Sequence, residues 1–225
     1  MKILFKLTSR SRPDNFFRAL DSIVNNTTID NHSILCSLDF DDKTMTSPEI
    51  RKRLSGYHDR GFEFVACFGK SKNKIDAINR DLEDRTDWDI LVNVSDDQIF
   101  TVKGIDQIIK FHATTDLDFY LHFRDTNHNP IDALCTLSII GRKYFERDNY
   151  IYHPSYFSVW CDNESMEVAK QRGKYKFIPD VIFEHLHPAY GKAKTDSQYQ
   201  KTESKIVHNR DHKNFLKRQK QGFQK

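Results

Sequence analysis

The alternation of apolar runs with amphipathic stretches over residues 2–112 limits the fold of this chain more than any other feature of its sequence. Short runs rich in Ile, Leu, Val and Phe predict four strands, in KILFKLTS, HSILCSLDF, FEFVACF and DILVNV. The stretches that follow them predict helices, in DNFFRALDSIV, PEIRKRLSGYH, SKNKIDAINRDLEDR and VKGIDQIIKFH. Strands that alternate with helices favour an α/β fold with a mainly parallel sheet covered by helices on both faces.

The pattern is looser after about residue 115. Further strands are predicted in DLDFYLHF, ALCTLSII and KFIPDVIFEH, and a further helix in NESMEVAKQRG. We expect one domain over residues 1–191, followed by a basic loop and tail over 192–225. The tail carries ten Lys or Arg against three Asp or Glu, whereas the whole chain has a net charge of only +3. Such a surplus predicts contact with a polyanion, while the body is mildly acidic.

Cysteine spacing and hydropathy exclude several classes of protein. The four cysteines, at positions 36, 67, 135 and 161, form no CxxC pair, which argues against a zinc ribbon or a thioredoxin-like redox motif. Several of them lie in apolar runs and behave as small hydrophobic residues, which favours a reducing compartment, and we expect a cytoplasmic protein. No apolar stretch reaches about 18 residues, so no transmembrane helix is predicted. The run MKILFKL contains a lysine and reads as a first strand rather than a signal peptide.

Polar residues follow each of the four predicted strands. Open parallel sheets bind ligands beyond the carboxyl ends of their strands, so these residues are the candidate site. They are Thr8, Ser9 and Arg10 after the first strand, Asp39 and Asp41 after the second, Lys72 and Lys74 after the third, and Asp96 and Asp97 after the fourth.

The adjacent aspartates Asp96 and Asp97 need a partner, because two neighbouring carboxylates repel each other unless a cation or a proton lies between them. Oxygen ligands suit Mg2+ or Mn2+, which bind proteins through one or two carboxylates and complete their coordination with substrate phosphates. The pair therefore predicts a metal that holds a diphosphate. A turn aspartate with an exposed neighbour is the alternative.

Residues 2–190 resemble glycosyltransferases of the GT-A fold, especially the family-2-like nucleotide-sugar enzymes. The segments that carry the resemblance are LTSRSRP, SLDFDDKT, GKSKNKIDAIN, SDD and VWCDNESMEVAKQRG. It implies that Thr8, Ser9, Arg10, Asp39 and Asp41 contact the nucleoside of a donor, and that the helix start with Lys72, Lys74 and Asn79 belongs to the same site. The family's DxD metal motif is matched only in part, since Val94 and Ser95 precede Asp96, and either aspartate is a candidate ligand.

The same resemblance implies residues on the acceptor side, a histidine ligand of the metal and a loop over the donor. Asp162 matches the general base of inverting members, with Glu164 as the second candidate, although Asp162 also suits the N-cap of a helix. His185, or alternatively His187, matches a histidine that completes the metal site. Lys192 lies in a predicted loop over the donor, where its charge could meet a phosphate.

Taken together, these residues and the resemblance imply a glycosyltransferase of the hexosyltransferase type. We expect it to use Mn2+ or Mg2+ and a nucleotide-sugar, most simply a UDP-sugar, and to act by inversion on a hydroxyl of a glycan or of a modified nucleic acid. A nucleotidyltransferase is the first alternative, although LTSRSRP has no glycine for a phosphate loop. A non-catalytic nucleic-acid-binding protein is the second, although the body is acidic.

Overall fold

The computed structural model describes residues 1–28, 32–83 and 85–224 of the 225-residue chain. Seven strands form the central sheet: β1 (Ile3–Ser9), β2 (Ser33–Asp39), β3 (Glu63–Gly69), β4 (Ile90–Ser95), β6 (Tyr120–Phe123), β7 (Ser138–Gly141) and β8 (Tyr175–Ile178). A second sheet pairs β5 (Gln98–Phe100) with β9 (Phe183–His185). The helices are α1 (Pro13–Asn26), α2 (Pro48–Ser55), α3 (Lys74–Asn79), α4 (Ile105–His112), α5 (Arg142–Phe145), α6 (Cys161–Gln171), α7 (Ser197–Thr202) and α8 (Lys205–Lys220).

The central sheet has the strand order β3-β2-β1-β4-β7-β6-β8. The pairs β3–β2, β2–β1, β1–β4 and β6–β8 are parallel, and β7 runs antiparallel to both of its neighbours. Because residues alternate between the two faces of a strand, Phe5 and Leu7 of β1 join one apolar core, which α1, α2 and α4 cover, whereas Leu4 joins a second core under α3, α5, α6 and α8. The predicted α/β fold with a mainly parallel sheet and helices on both faces is confirmed.

Several predicted boundaries are wrong for identifiable reasons. The helix predicted over residues 71–85 ends at Asn79, because Arg80 is extended and Asp81 adopts a left-handed conformation with φ of 67°; its residue 84 lies outside the described residues. The last predicted strand, over residues 176–185, is divided into β8 and β9, with Pro179 in the break. The short strand β5 was not predicted, since three residues carry no detectable period.

The segment predicted as a basic loop and tail contains two helices. Of these, α8 buries Val207, Asp211, Phe215 and Arg218 against the body of the protein and exposes its lysines. Contact of these lysines with a polyanion stays a prediction. Among the described residues, no helix has both the length and the apolar character needed to cross a bilayer. All four cysteines are free.

A lysine lies in the core of the central strand β1. Lys6 is 0% exposed, and its Nζ donates hydrogen bonds to Ser37 Oγ and to the carbonyl oxygen of Arg80, the latter at 2.9 Å. Burial outweighs the attraction of Asp81 and lowers the pKa of Lys6 to about 8. The folded protein therefore favours the neutral amine at alkaline pH, whereas the unfolded chain keeps it protonated.

We predict that Lys6 makes the protein's stability depend on pH. A lysine whose pKa is lower in the folded state binds fewer protons there, so its contribution to stability rises with pH. The difference in unfolding free energy between the parent and Lys6→Met should shift by about 1 kcal/mol in favour of the parent between about pH 7 and pH 9. Urea unfolding of both proteins at the two pH values measures this difference, and an equal difference at both would contradict it.

Candidate active site

A cleft with a cavity volume of about 540 Å3 lies beyond the carboxyl ends of β1, β2 and β4. The structure brings twelve of the sequence-predicted site residues to its walls: Thr8, Ser9, Arg10, Asp39, Asp41, Lys72, Lys74, Asp96, Asp97, Asp162, His185 and His187. Three others, Asn79, Glu164 and Lys192, are not part of these walls. The parallel register of β1 with β2 and β4 explains the convergence, because it ends all three strands at one edge of the sheet.

One end of the cleft is formed by Arg10 and the aspartates that follow β2. The guanidinium donates to Asp39 Oδ2 and to Asp41 Oδ1, both at 2.7 Å. The second oxygen of Asp39 is buried and receives no hydrogen bond from the described residues; Nη2 of Arg80 lies 3.8 Å from it. A buried carboxylate oxygen of this kind has an unused acceptor site toward a ligand that carries an N–H or O–H group.

The carboxylate of Asp96, at the end of β4, is engaged by the protein itself. Ser9 Oγ donates to Asp96 Oδ2 at 2.6 Å, and Arg12 Nη1 donates to Asp96 Oδ1 at 3.3 Å. Arg12 also forms a two-pronged pair with Asp196, the N-cap residue of α7, at 2.7 and 2.8 Å. Burial and the neighbouring Asp97 carboxylate raise the pKa of Asp96 to about 6.

The carboxylate of Asp97 has a different environment. Its Oδ1 is buried and has no hydrogen-bond partner among the described residues, and its Oδ2 lies 3.6 Å from His185 Nε2. The other nitrogen of the ring, Nδ1, lies 2.7 Å from Asp125 Oδ2. Burial tends to lower the pKa of His185, but its hydrogen bond with Asp125 and the nearby carboxylate of Asp97 outweigh that effect and raise it to about 9.

Histidines that bind metals commonly hydrogen-bond a carboxylate through one ring nitrogen, which orients the other nitrogen toward the metal. His185 has this arrangement, with Asp125 at Nδ1. A cation between Asp97 and His185 would use the unpartnered Oδ1 and would compete with a proton for Nε2. Within the described part of the chain, no group of three His, Cys, Asp or Glu side chains is assembled to hold a metal alone. The residues therefore fit a cation whose coordination is completed by a phosphate ligand and water.

The second histidine lies beside the first but outside the strand. β9 ends at His185, and His187 caps the short turn Pro188–Tyr190, where its Nδ1 accepts from the Ala189 amide at 3.3 Å. The two rings are 5.2 Å apart, and burial lowers the pKa of His187. His187 therefore lines the cleft beside His185 but is held by the turn and not by β9.

Asp162 also lines the cleft. It is the second residue of α6, whose N-cap position is taken by Trp160, so Asp162 is not the helix cap that its sequence position suggested. Its Oδ1 accepts from the Asn163 amide at 2.9 Å, and burial raises its pKa. The carboxylate thus lines the cleft and has a higher proton affinity than an exposed aspartate.

Glu164, the second candidate for a base, is buried and hydrogen-bonded to other side chains of the protein. It is 3% exposed, accepts two-pronged hydrogen bonds from Arg218 at 2.8 to 3.0 Å, and accepts from the Tyr156 hydroxyl at 2.7 Å. Both oxygens are used, and the side chain is not part of the cleft wall. Glu164 therefore lies outside the cleft wall that includes Asp162.

Asn79 and Lys192 are also placed outside the cleft. The Asn79 side chain is committed to the backbone of the 151–152 loop, because it accepts from the amides of Ile151 and Tyr152 and donates to the Tyr152 carbonyl. Lys192 contacts Thr126 Oγ1 at 3.3 Å and Glu184 at 3.8 Å. Neither side chain is directed to a ligand in the cleft.

Two residues that contact the predicted site residues, Arg12 and Asp125, were not predicted from the sequence. Arg12 lies within the segment LTSRSRP, next to residues that were predicted. Asp125 follows β6, in the stretch HFRDT, and an inspection of the end of that strand would have found it. Its partner His185 is 60 positions further along the chain, so no local pattern connects them.

No protein-family model matches this sequence, and the comparison with curated proteins found no match. Solved structures do resemble it. Mannosyltransferase PcManGT from Pyrobaculum calidifontis, in complex with GDP-Man and Mn2+, superposes with a TM-score of 0.67 at 13% identity, over 81% of this chain and 56% of that one. S. aureus TarS 1-349 in complex with UDP-GlcNAc gives 0.59 at 12% identity, over 87% and 62%.

A third structure extends the likeness. The glycosyltransferase GlyE of Streptococcus pneumoniae TIGR4 gives a TM-score of 0.54 at 11% identity, over 80% of this chain and 46% of that one. The chain therefore spans less than two thirds of each of these proteins. At such low identity, what is shared is the fold: the chain has the GT-A glycosyltransferase fold.

Proposed function

We propose that this chain is a metal-dependent glycosyltransferase that moves a sugar from a nucleotide-sugar, most simply a UDP-sugar, to a hydroxyl group of a glycan. The observation that carries the proposal is the group formed by Asp97, His185 and Asp125 at the carboxyl end of β4, within a GT-A fold. It combines an unused buried carboxylate oxygen with an oriented imidazole, which suits a divalent cation bound together with a diphosphate.

The donor would lie along the edge formed by β1 and β2. The unused acceptor at Asp39 Oδ1 suits the imide N–H of a base such as uracil, with Arg10 holding the carboxylate in place. Lys72 and Lys74, at the start of α3, supply positive charge for the phosphates. Solved relatives of this fold bind UDP-GlcNAc and GDP-Man, which supports a nucleoside diphosphate without choosing its base.

Among the two aspartates, we propose Asp97 as the direct metal ligand and Asp96 as its support. Both oxygens of Asp96 are occupied by Ser9 and Arg12, whereas Asp97 keeps one oxygen free of protein partners. A bound cation would neutralise the charge that develops on the departing diphosphate. His185 would be the second protein ligand, held in its tautomer by Asp125.

On the acceptor side, Asp162 would take the proton of the attacking hydroxyl. The hydroxyl oxygen forms a bond to the anomeric carbon while the bond from that carbon to the diphosphate breaks, which inverts the configuration. Phe157 and Trp160 line the cleft on the same segment as Asp162 and would add aromatic surface beside a bound sugar. The raised pKa of Asp162 improves its match to a proton acceptor near neutral pH.

The first prediction tests the donor class by thermal shift. Ligands that bind only the folded protein raise its stability, by about 2.7 kcal/mol at 100 times the dissociation constant. UDP-, GDP-, CMP- and dTDP-sugars should be compared with and without Mn2+. We expect a UDP-sugar to raise the Tm most, and to raise it further with Mn2+ than without. Absence of any metal-dependent shift with all four classes would contradict the proposal.

The second prediction concerns the metal. Asp97→Asn should abolish the part of UDP affinity that depends on Mn2+ and leave metal-free binding unchanged, because the substitution removes one charge and one ligand oxygen. Glu184→Gln is the matched control, since Glu184 lies next to His185 on β9 but is exposed and outside the cleft. Titration calorimetry measures both. Retention of the Mn2+-dependent affinity in Asp97→Asn would rule out Asp97 as a ligand.

The third prediction concerns proton transfer. Asp162→Asn keeps the shape of the side chain but removes its basicity, so sugar transfer should fall by roughly 100- to 10,000-fold. Donor affinity should stay at the parent value, because a base acts only in the transition state. Glu167→Gln, which removes the same charge from the same helix, should transfer at the parent rate. Turnover near the parent rate in Asp162→Asn would show that Asp162 is not the base.

A further inference from the structure

One face of α8 is fitted to the segment over residues 157–164, which contains Asp162. Four side chains of this face contact the segment: Asp211, His212, Phe215 and Arg218. Their spacing of one, four and seven residues places them along one side of a helix over two turns. The segment itself includes the loop before α6 and the first turn of that helix, and Phe157 to Asn163 line the cleft.

Asp211 holds the backbone of the loop. Its carboxylate is 0% exposed and accepts from three consecutive amides: Phe157 N at 3.1 Å to both oxygens, Ser158 N at 2.8 Å and Val159 N at 3.0 Å. Several N–H groups aimed at one anion form a strongly favourable arrangement, in which each group satisfies the other away from water. Loss of the carboxylate would leave three adjacent loop amides without their acceptor.

Trp160 is held in an unusual conformation at the next position. Its φ of 65° lies in the left-handed region, which residues other than glycine adopt only when their surroundings hold them there. The indole ring stacks on His212 with centroids 4.3 Å apart and contacts the ring of Phe215 at 5.3 Å. The backbone turn that starts α6 is thus fixed by α8 through the side chain of Trp160.

The second anchor lies just beyond Asp162. Arg218 forms its two-pronged pair with Glu164, and both side chains are buried. Asp162 therefore lies between two attachments to α8, one at the 157–159 backbone and one at Glu164. Neither Asp211 nor Arg218 lines the cleft. They can affect a ligand there only through the segment that they hold.

We propose that α8 is the positioning element of the acceptor side, and that Asp211 is a positioning residue for the group transfer. The proposal rests on the function proposed above, in which Asp162 is the base. A base must lie within hydrogen-bond reach of the acceptor hydroxyl, and a displacement of about 1 Å can lower a rate 100-fold. Asp211 sets that position by fixing the loop from which α6 starts.

The test compares Asp211→Ala, which removes the acceptor oxygens, with the parent and with Lys213→Gln, an exposed substitution on the same helix. Asp211→Ala should lower kcat by about tenfold or more, while the affinity for UDP with Mn2+ stays at the parent value. Hydrogen exchange followed by NMR should show faster exchange for the amides of Phe157, Ser158 and Val159, with the amides of β1 and β4 unchanged. Lys213→Gln should match the parent in all three measurements.

Two results would overturn the proposal. Exchange of the 157–159 amides at the parent rate would show that Asp211 does not fix the loop, and faster exchange with parent-like kcat would show that transfer does not need it. If Asp211→Ala does not fold, His212→Ala removes the stacking on Trp160 without touching a buried charge, and parent-like kcat in that variant would overturn the proposal equally. Failure of the proposed function itself would be seen in the parent, as absence of any turnover of nucleotide-sugar.

Discussion

The repulsion between two adjacent carboxylates at the end of a central strand is the constraint on which the arrangement of the cleft depends. Asp96 and Asp97 follow β4 directly and are largely removed from water, where like charges repel strongly. Different groups offset the charge of each carboxylate. Ser9 and Arg12 compensate Asp96 from the end of β1, and His185 approaches Asp97 from a separate sheet. One oxygen of Asp97 is left without a partner, and that oxygen gives the cleft its capacity for a cation.

The small sheet of β5 and β9 places His185 next to the carboxylates. Its register pairs Gln98 with His185, and the Leu186 amide donates to the carbonyl oxygen of Asp97 at 2.8 Å. The histidine is thereby fixed next to the carboxylates by backbone hydrogen bonds, and Asp125 then sets the orientation of its ring. In the proposed reaction this group would hold the leaving diphosphate, while α8 would position the base, Asp162.

Much of the fold could be predicted because its signals are local. The apolar periods of β1 to β4 and of α1, α2 and α4 lie within short windows, and parallel order follows from their alternation. The carboxyl-end edge and most of its polar residues follow from that order. Glu164 could not be distinguished from Asp162 in this way, because the residue that withdraws it from the cleft, Arg218, is 54 positions further along the chain. The contacts of α8 were missed for a related reason, since two of the buried positions on its contact face are the charged residues Asp211 and Arg218.

The central claim is that a divalent cation binds between Asp97 and His185 together with the diphosphate of a nucleotide. A crystal structure of the protein with UDP and Mn2+, with anomalous data collected near the manganese edge, tests it directly. The account predicts an anomalous peak about 2–2.5 Å from a carboxylate oxygen of Asp97, from His185 Nε2 and from oxygens of both phosphates. A peak that contacts neither side chain, or UDP bound away from the carboxyl ends of β1 and β2, would contradict it.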